Sequence, residues 1–168
     1  LPSTATSLTA FDINTNSTAL IDVYISYILD TVDDVNRQDP TLWVHHDTVQ
    51  VQGQGNNNPT YVELSTPLNL PGSQISGLAI GTSAGLRYTN GTSSGSIWIT
   101  DSRFTIYEGW GMSSPFAVSA FTPRNWNGRI YYDTGGACSD SLVPVSVEYS
   151  NDTVTDVIVA CDSYTWID

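Results

Sequence analysis

At 168 residues the chain suits one domain with a real core, since a domain of this size removes roughly 70% of its unfolded surface from water. Its charge is one-sided: 17 acidic residues stand against five arginines and no lysine, a formal net charge of −12. Without clustered cations, neither nucleic acid nor an anionic membrane face is an expected partner, and no apolar run reaches the ~20 residues that a membrane-spanning helix needs.

The first stretch, "LPSTATSLTAFDINTNST", is small and polar, with Leu8, Phe11 and Ile13 as its apolar anchors. Residues 1–18 therefore read as an extended segment apart from a β-sandwich domain at 19–168. The segment is expected to pack as a strand, either on the chain's own sheet or exchanged into a neighbouring copy. The chain opens at Leu1 without a methionine, and the simplest expectation is a signal peptide removed upstream. Asn16-Ser17-Thr18 is the first of three glycosylation sequons; Asn90-Gly91-Thr92 and Asn151-Asp152-Thr153 follow, while Pro59 disqualifies Asn58.

Residues 19–29 form the first strand pattern, rich in Val, Ile and Tyr. The acidic stretch 30–39 offers Asp30, Asp33, Asp34, Asn36 and Asp39 as oxygen ligands for calcium, but it lacks the glycine and closing glutamate of an EF-hand. Its Asp, Asn and Pro content reads as a solvated loop rather than a helix. Residues 42–52, "LWVHHDTVQVQ", hold both histidines. On a regular strand Trp43, His45, Asp47, Val49 and Val51 share the apolar face and His46 points the other way. One metal ion cannot then take both histidines, and a hydrogen-bonded His45 on a strand is the expectation.

Further strand patterns follow at 60–64 and 75–80, then Gly81-Thr82-Ser83-Ala84-Gly85 matches the G-x-S-x-G elbow. No helix pattern follows it and both histidines precede the serine, so it reads as a glycine-punctuated turn. Residues 96–107, 116–121 and 130–132 are the next strand patterns. Between them, Trp110 and Trp126 lie in "YEGWG" and "PRNWNG", which read as turns. With Tyr107 and Arg124 they make the sequence's best platform for stacking on sugar rings. Asp133-Thr134-Gly135 looks like the triplet of aspartic peptidases, yet it occurs once and the expected downstream glycine is Ala160. Glu63, Glu108 and Glu148 are the glutamates from which a glycoside hydrolase could draw a catalytic pair.

The last strand patterns are 142–149 and 154–160. Cys138 and Cys161, the only cysteines, are expected to form a disulfide contributing about 3 kcal/mol if unstrained. Nine or ten strands with turns every eight to twelve residues predict an all-β, antiparallel sandwich or jelly roll in a single domain. The function expected is that of a secreted, glycosylated, non-enzymatic module that assembles with copies of itself or binds extracellular glycan. No catalytic residue, metal or cofactor is implied, and the competing expectation is an acid-tolerant carbohydrate-active hydrolase.

Overall fold

The computed structural model describes residues 5–133 and the backbone of residues 147–149 and 152–154. The chain divides into two compact units, Leu1–Gly135 and Gly136–Asp168. Strands dominate the first: β1 (Thr6–Asn14), β2 (Leu20–Ile28), β3 (Val44–Gln52), β4 (Pro59–Leu70), β5 (Gly77–Thr82), β6 (Tyr88–Asn90), β7 (Ile97–Thr100), β8 (Thr105–Tyr107), β9 (Gly109–Met112), β10 (Ala120–Trp126) and β11 (Ile130–Asp133). In the second, β12 (Val147–Tyr149) and β13 (Asp152–Val154) form an antiparallel hairpin. The fold is all-β, and the stretch 30–42 contributes only two short 3-10 helices, Asn36–Gln38 and Pro40–Leu42.

Two antiparallel sheets make the sandwich, ordered β11-β1-β4 and β3-β2-β5. Period-two alternation on β2 sends Ile21, Val23 and Ile25 inward, where they meet Leu8, Phe11 and Ile13 from β1 and Val62, Leu64, Leu68 and Leu70 from β4. Each such side chain, once fully buried, contributes about 1.5–3 kcal/mol. The three anchors of segment 1–18 thus sit in the chain's own core, on a strand flanked on both sides by β4 and β11.

Bulges set the parity of the longer strands. On β1 the register slips at Thr9, so Leu8 and Phe11 reach the same core although they stand three positions apart. Opposite that slip, β4 jumps from Glu63 to Leu68, and Leu64 to Pro67 leave the ladder with β1. On β3, Ile25 of β2 faces Asp47 while Ser26 faces His45, which makes His46 the extra residue. On β10, Phe121 pairs with Gly111 but Arg124 with Gly109, inserting one residue at Thr122-Pro123.

The remaining short strands lie where turns were expected or extend the expected ones. β6 and β9 join β10 in a third sheet, ordered β6-β10-β9, and 96–107 folds as the β7–β8 hairpin. The hairpin turns on Asp101, whose carboxylate accepts the amides of Arg103 and Phe104, both at 2.6 Å. Those bonds hold the Asp101 carboxyl below its ordinary value. They also aim Phe104 at the core, edge-on to Tyr132 at 4.7 Å.

Candidate functional site

The third sheet carries the most suggestive surface, and its two faces follow from "GWGM". Alternation puts Gly109 and Gly111 on one face and Trp110 and Met112 on the other. On the glycine face the Tyr88 ring occupies the place a side chain would fill: a Cβ at Gly111 would come within 2.8 Å of it. Because of the bulge at Thr122-Pro123, Phe121 and Arg124 share this face rather than opposing ones. The Arg124 guanidinium lies over both rings, 5.5 Å from the Tyr88 centroid and 5.3 Å from that of Phe121. Its Nη1 donates to the Pro123 carbonyl at 2.8 Å, and its Nε is buried with no partner among the described residues. Tyr88 and Phe121 are both exposed, Phe121 by 56%. A cation held between two exposed rings is the chemistry expected of a stacking platform.

Of the four residues the sequence groups as a platform, Arg124 lies here and the three aromatic ones lie elsewhere. Trp110 and Trp126 lie on β9 and β10, not in turns. Trp110 is on the opposite face of the sheet from Arg124 and is covered by Arg37, whose guanidinium sits 4.8 Å above its ring. Trp126 packs edge-on against Phe11 at 6.0 Å and seals the sandwich core. Tyr107 is on the β7–β8 hairpin, opposite Ile97. The rings that do lie beside Arg124 are those of Tyr88 and Phe121, which the sequence reading did not single out. The signal for Tyr88 is Gly111, whose missing side chain leaves room for its ring.

Beneath the platform two buried charges hold the connections. Arg37, 3% exposed, donates from Nε to Asp34 at 2.9 Å and pairs with the same carboxylate through Nη2. It also donates to the carbonyls of Ala117 at 2.6 Å and Val118 at 2.8 Å, which docks the 30–42 stretch on the β9–β10 connection. Glu108 accepts the amides of Thr92 and Ser93, both at 2.8 Å, and the Thr92 hydroxyl at 3.1 Å. Burial alone would raise its carboxyl, yet these bonds and the Asn125 side chain hold it below the ordinary carboxylate value. A general acid for glycoside hydrolysis needs the opposite shift.

The histidines are where the bulge puts them, not where strict alternation would. His45 is exposed and bonded to the Thr48 hydroxyl at 3.1 Å; His46 is the half-buried one, edge-on to Tyr27 at 6.2 Å. His46 Nε2 donates to the Thr66 carbonyl at 2.9 Å, and Asp47 accepts the Ser65 amide at 2.7 Å. Both partners belong to the part of β4 that left its own ladder, so His46 and Asp47 satisfy backbone groups the bulge released and clasp the two sheets together. Past this clasp the edges of β3 and β4 diverge into an open groove of about 570 Å³, lined by Val49, Val51, Tyr61, Glu63 and Leu64.

The other sequence candidates are dispersed. In the acidic stretch Asp33 accepts the Val35 and Asn36 amides, Asp39 accepts from Thr41, and Asp34 serves Arg37, so its carboxylates act as turn caps. The Ser83 hydroxyl accepts the Asp22 amide at 3.0 Å. Asn16 and Asn90 are exposed, and the Thr92 of the second sequon is the Glu108 partner. Asn151, Cys138, Cys161, Thr134, Gly135 and the Glu148 side chain lie outside the described residues. Among the described residues no group of three His, Cys, Asp or Glu gathers as metal ligands, and no helix is long and apolar enough to cross a membrane. Comparison with protein families, with curated proteins and with solved structures finds no match to the chain, so its functional reading rests on these residues alone.

Proposed function

We propose that this chain is a secreted, glycosylated, non-enzymatic β-sandwich module that binds extracellular glycan through Tyr88, Arg124 and Phe121. The observation that carries the reading is the guanidinium held over two exposed rings on the glycine face of the third sheet. A pyranose sets its C–H face on such a ring, and its hydroxyls accept from the neighbouring guanidinium. Stacking between rings also holds the arginine in place, so little side-chain freedom is lost on binding. A chain of net charge −12 repels anionic polymers, which favours a neutral glycan. Exposure of Asn16 and Asn90 suits glycosylation, and Asn151 and a Cys138–Cys161 disulfide belong to the same secreted reading. The test is a glycan array probed with the wild type and with Tyr88→Ala/Phe121→Ala. Binding to neutral glycans that falls about tenfold or more in the double variant supports the reading; equal binding by both, or none by the wild type, overturns it.

Self-assembly is the second reading, favoured by the groove between β3 and β4. Among the described strands each pairs on one side only, so both offer an open edge beside apolar Val49, Val51 and Leu64. A strand from a second copy could add there. Sedimentation over a range of concentrations and pH is expected to show association if this reading holds, and a monomer throughout would remove it.

A further inference from the structure

We propose that the outer face of the β11-β1-β4 sheet holds a second site, a polar cavity that takes a single neutral pyranose ring. The cavity, of about 280 Å³, is lined by Asp12, Asn14, Asn57, Pro59, Asn127 and Arg129. That is smaller than the roughly 300–1,000 Å³ typical of drug-sized ligand sites and suits one ring. Its floor follows from β1: Phe11 and Ile13 face the core, so Asp12 and Asn14 face outward together. The β10–β11 turn closes against them, because the Asp12 amide donates to the Arg129 carbonyl at 2.9 Å. Glycine is required between Asn127 and Arg129, since a side chain at Gly128 would collide with the Asp12 carbonyl and the Trp126 ring.

The donors and acceptors of this cavity are only partly spent. Asp12 is 4% exposed, yet among the described residues the one group donating to its carboxylate is the Tyr131 hydroxyl, at 3.3 and 3.5 Å. A buried carboxylate ordinarily gathers several shorter bonds, so Asp12 retains accepting capacity. Asn14 Oδ1 accepts the Asn57 amide at 3.3 Å and Asn127 Oδ1 accepts the Thr89 hydroxyl at 3.2 Å. Among the described residues neither asparagine donates its side-chain NH2 to another group, which leaves both for a ligand. Arg129 forms no ion pair among the described residues, although the chain is strongly acidic. One buried acceptor facing two amide donors and a guanidinium matches a sugar, whose hydroxyls both donate and accept. Asp12 repels an anion and Arg129 a cation, so the ring is neutral. Outside the cavity lining, Tyr61 pairs across the sheet with Asp12 and meets Tyr131 edge-on at 5.3 Å.

This site shares no side chain with the Tyr88–Arg124–Phe121 platform, so either can fail without the other. Methyl glycosides of glucose, mannose, galactose and N-acetylglucosamine, titrated one by one into the 15N-labelled full chain, supply the test. At least one is expected to shift the amides of Asn14, Asn57, Asn127 and Arg129 saturably. Asp12→Asn, which keeps shape and loses charge, and Arg129→Ala, at an exposed position, are each expected to weaken that binding about tenfold while leaving the rest of the spectrum unchanged. The Tyr88→Ala/Phe121→Ala variant is expected to bind like the wild type. The proposal is overturned if no glycoside perturbs these amides, if both cavity variants bind as the wild type does, or if free glycine saturates the cavity and the glycosides do not.

Discussion

The sandwich and the third sheet are held together by different means. Between β11-β1-β4 and β3-β2-β5 the contacts are mainly apolar, with Phe11, Ile13, Val23, Ile25 and Val62 almost wholly removed from water and the His46 and Asp47 bonds to β4 at one edge. Around β6-β10-β9 the buried groups include Arg37, Glu108 and Asn125, while Tyr88, Val118 and Phe121 are exposed. Apolar burial is non-directional and fixes a shape; a buried charge with several hydrogen bonds fixes particular loops. The difference supports the proposed platform, because the third sheet spends polar groups on positioning its loops and leaves the Tyr88 and Phe121 rings outside.

The contrast can be broken first at the core. Ile13→Ala removes a fully buried side chain from the middle of β1 and is expected to lower unfolding free energy by about 2–5 kcal/mol in denaturant melts. Arg37→Ala should cost less, about 2 kcal/mol, because it leaves the Ala117 and Val118 carbonyls without their donor. Its loss should also speed amide exchange in the 30–42 stretch, whereas Ile13→Ala should act on the sandwich as a whole; equal effects on both stretches would dissolve the distinction.

A pH dependence sharpens it. The carboxyls of Glu108 and Asp101 lie below their ordinary values in the folded chain, so their contribution to stability is complete above the unfolded values, about 4.5 and 3.8, and is lost as pH falls through the lower folded values. Thermal melts of the wild type should therefore show stability declining below about pH 4.5, and Glu108→Gln should flatten that decline while lowering stability at neutral pH. The smallest effect separates the histidines: His46→Ala should destabilise by about 1 kcal/mol through the Thr66 bond, and exposed His45→Ala by less than about 0.5 kcal/mol.

Much of the architecture was legible because alternation and turn clusters are local signals. Strands at 19–29, 42–52 and 130–132 came close to β2, β3 and β11, and Leu8, Phe11 and Ile13, read as anchors of a strand on the chain's own sheet or a neighbouring copy's, lie in the core of this chain. What failed has one physical cause. A bulge changes the parity of every residue beyond it, and nothing in the neighbouring residues announces it. The slip on β3 exchanged His45 for His46 as the inward residue, and that on β10 brought Phe121 round to Arg124. Trp110 and Trp126 read as platform rings because they are large and flanked by glycine; in the fold Gly111 makes room for Tyr88, while Trp110 lies under Arg37 and Trp126 against Phe11.

The central claim, that Arg124 between Tyr88 and Phe121 meets the ligand, is tested most directly by following the arginine itself. The Nε–Hε resonance of Arg124 should be recorded while a neutral soluble glycan selected on the array is added to the full chain. A saturable shift of that resonance together with the Tyr88 and Phe121 ring signals, absent in Tyr88→Ala/Phe121→Ala, is the result expected. An Arg124 resonance that stays in place while glycan binds elsewhere on the chain would contradict it.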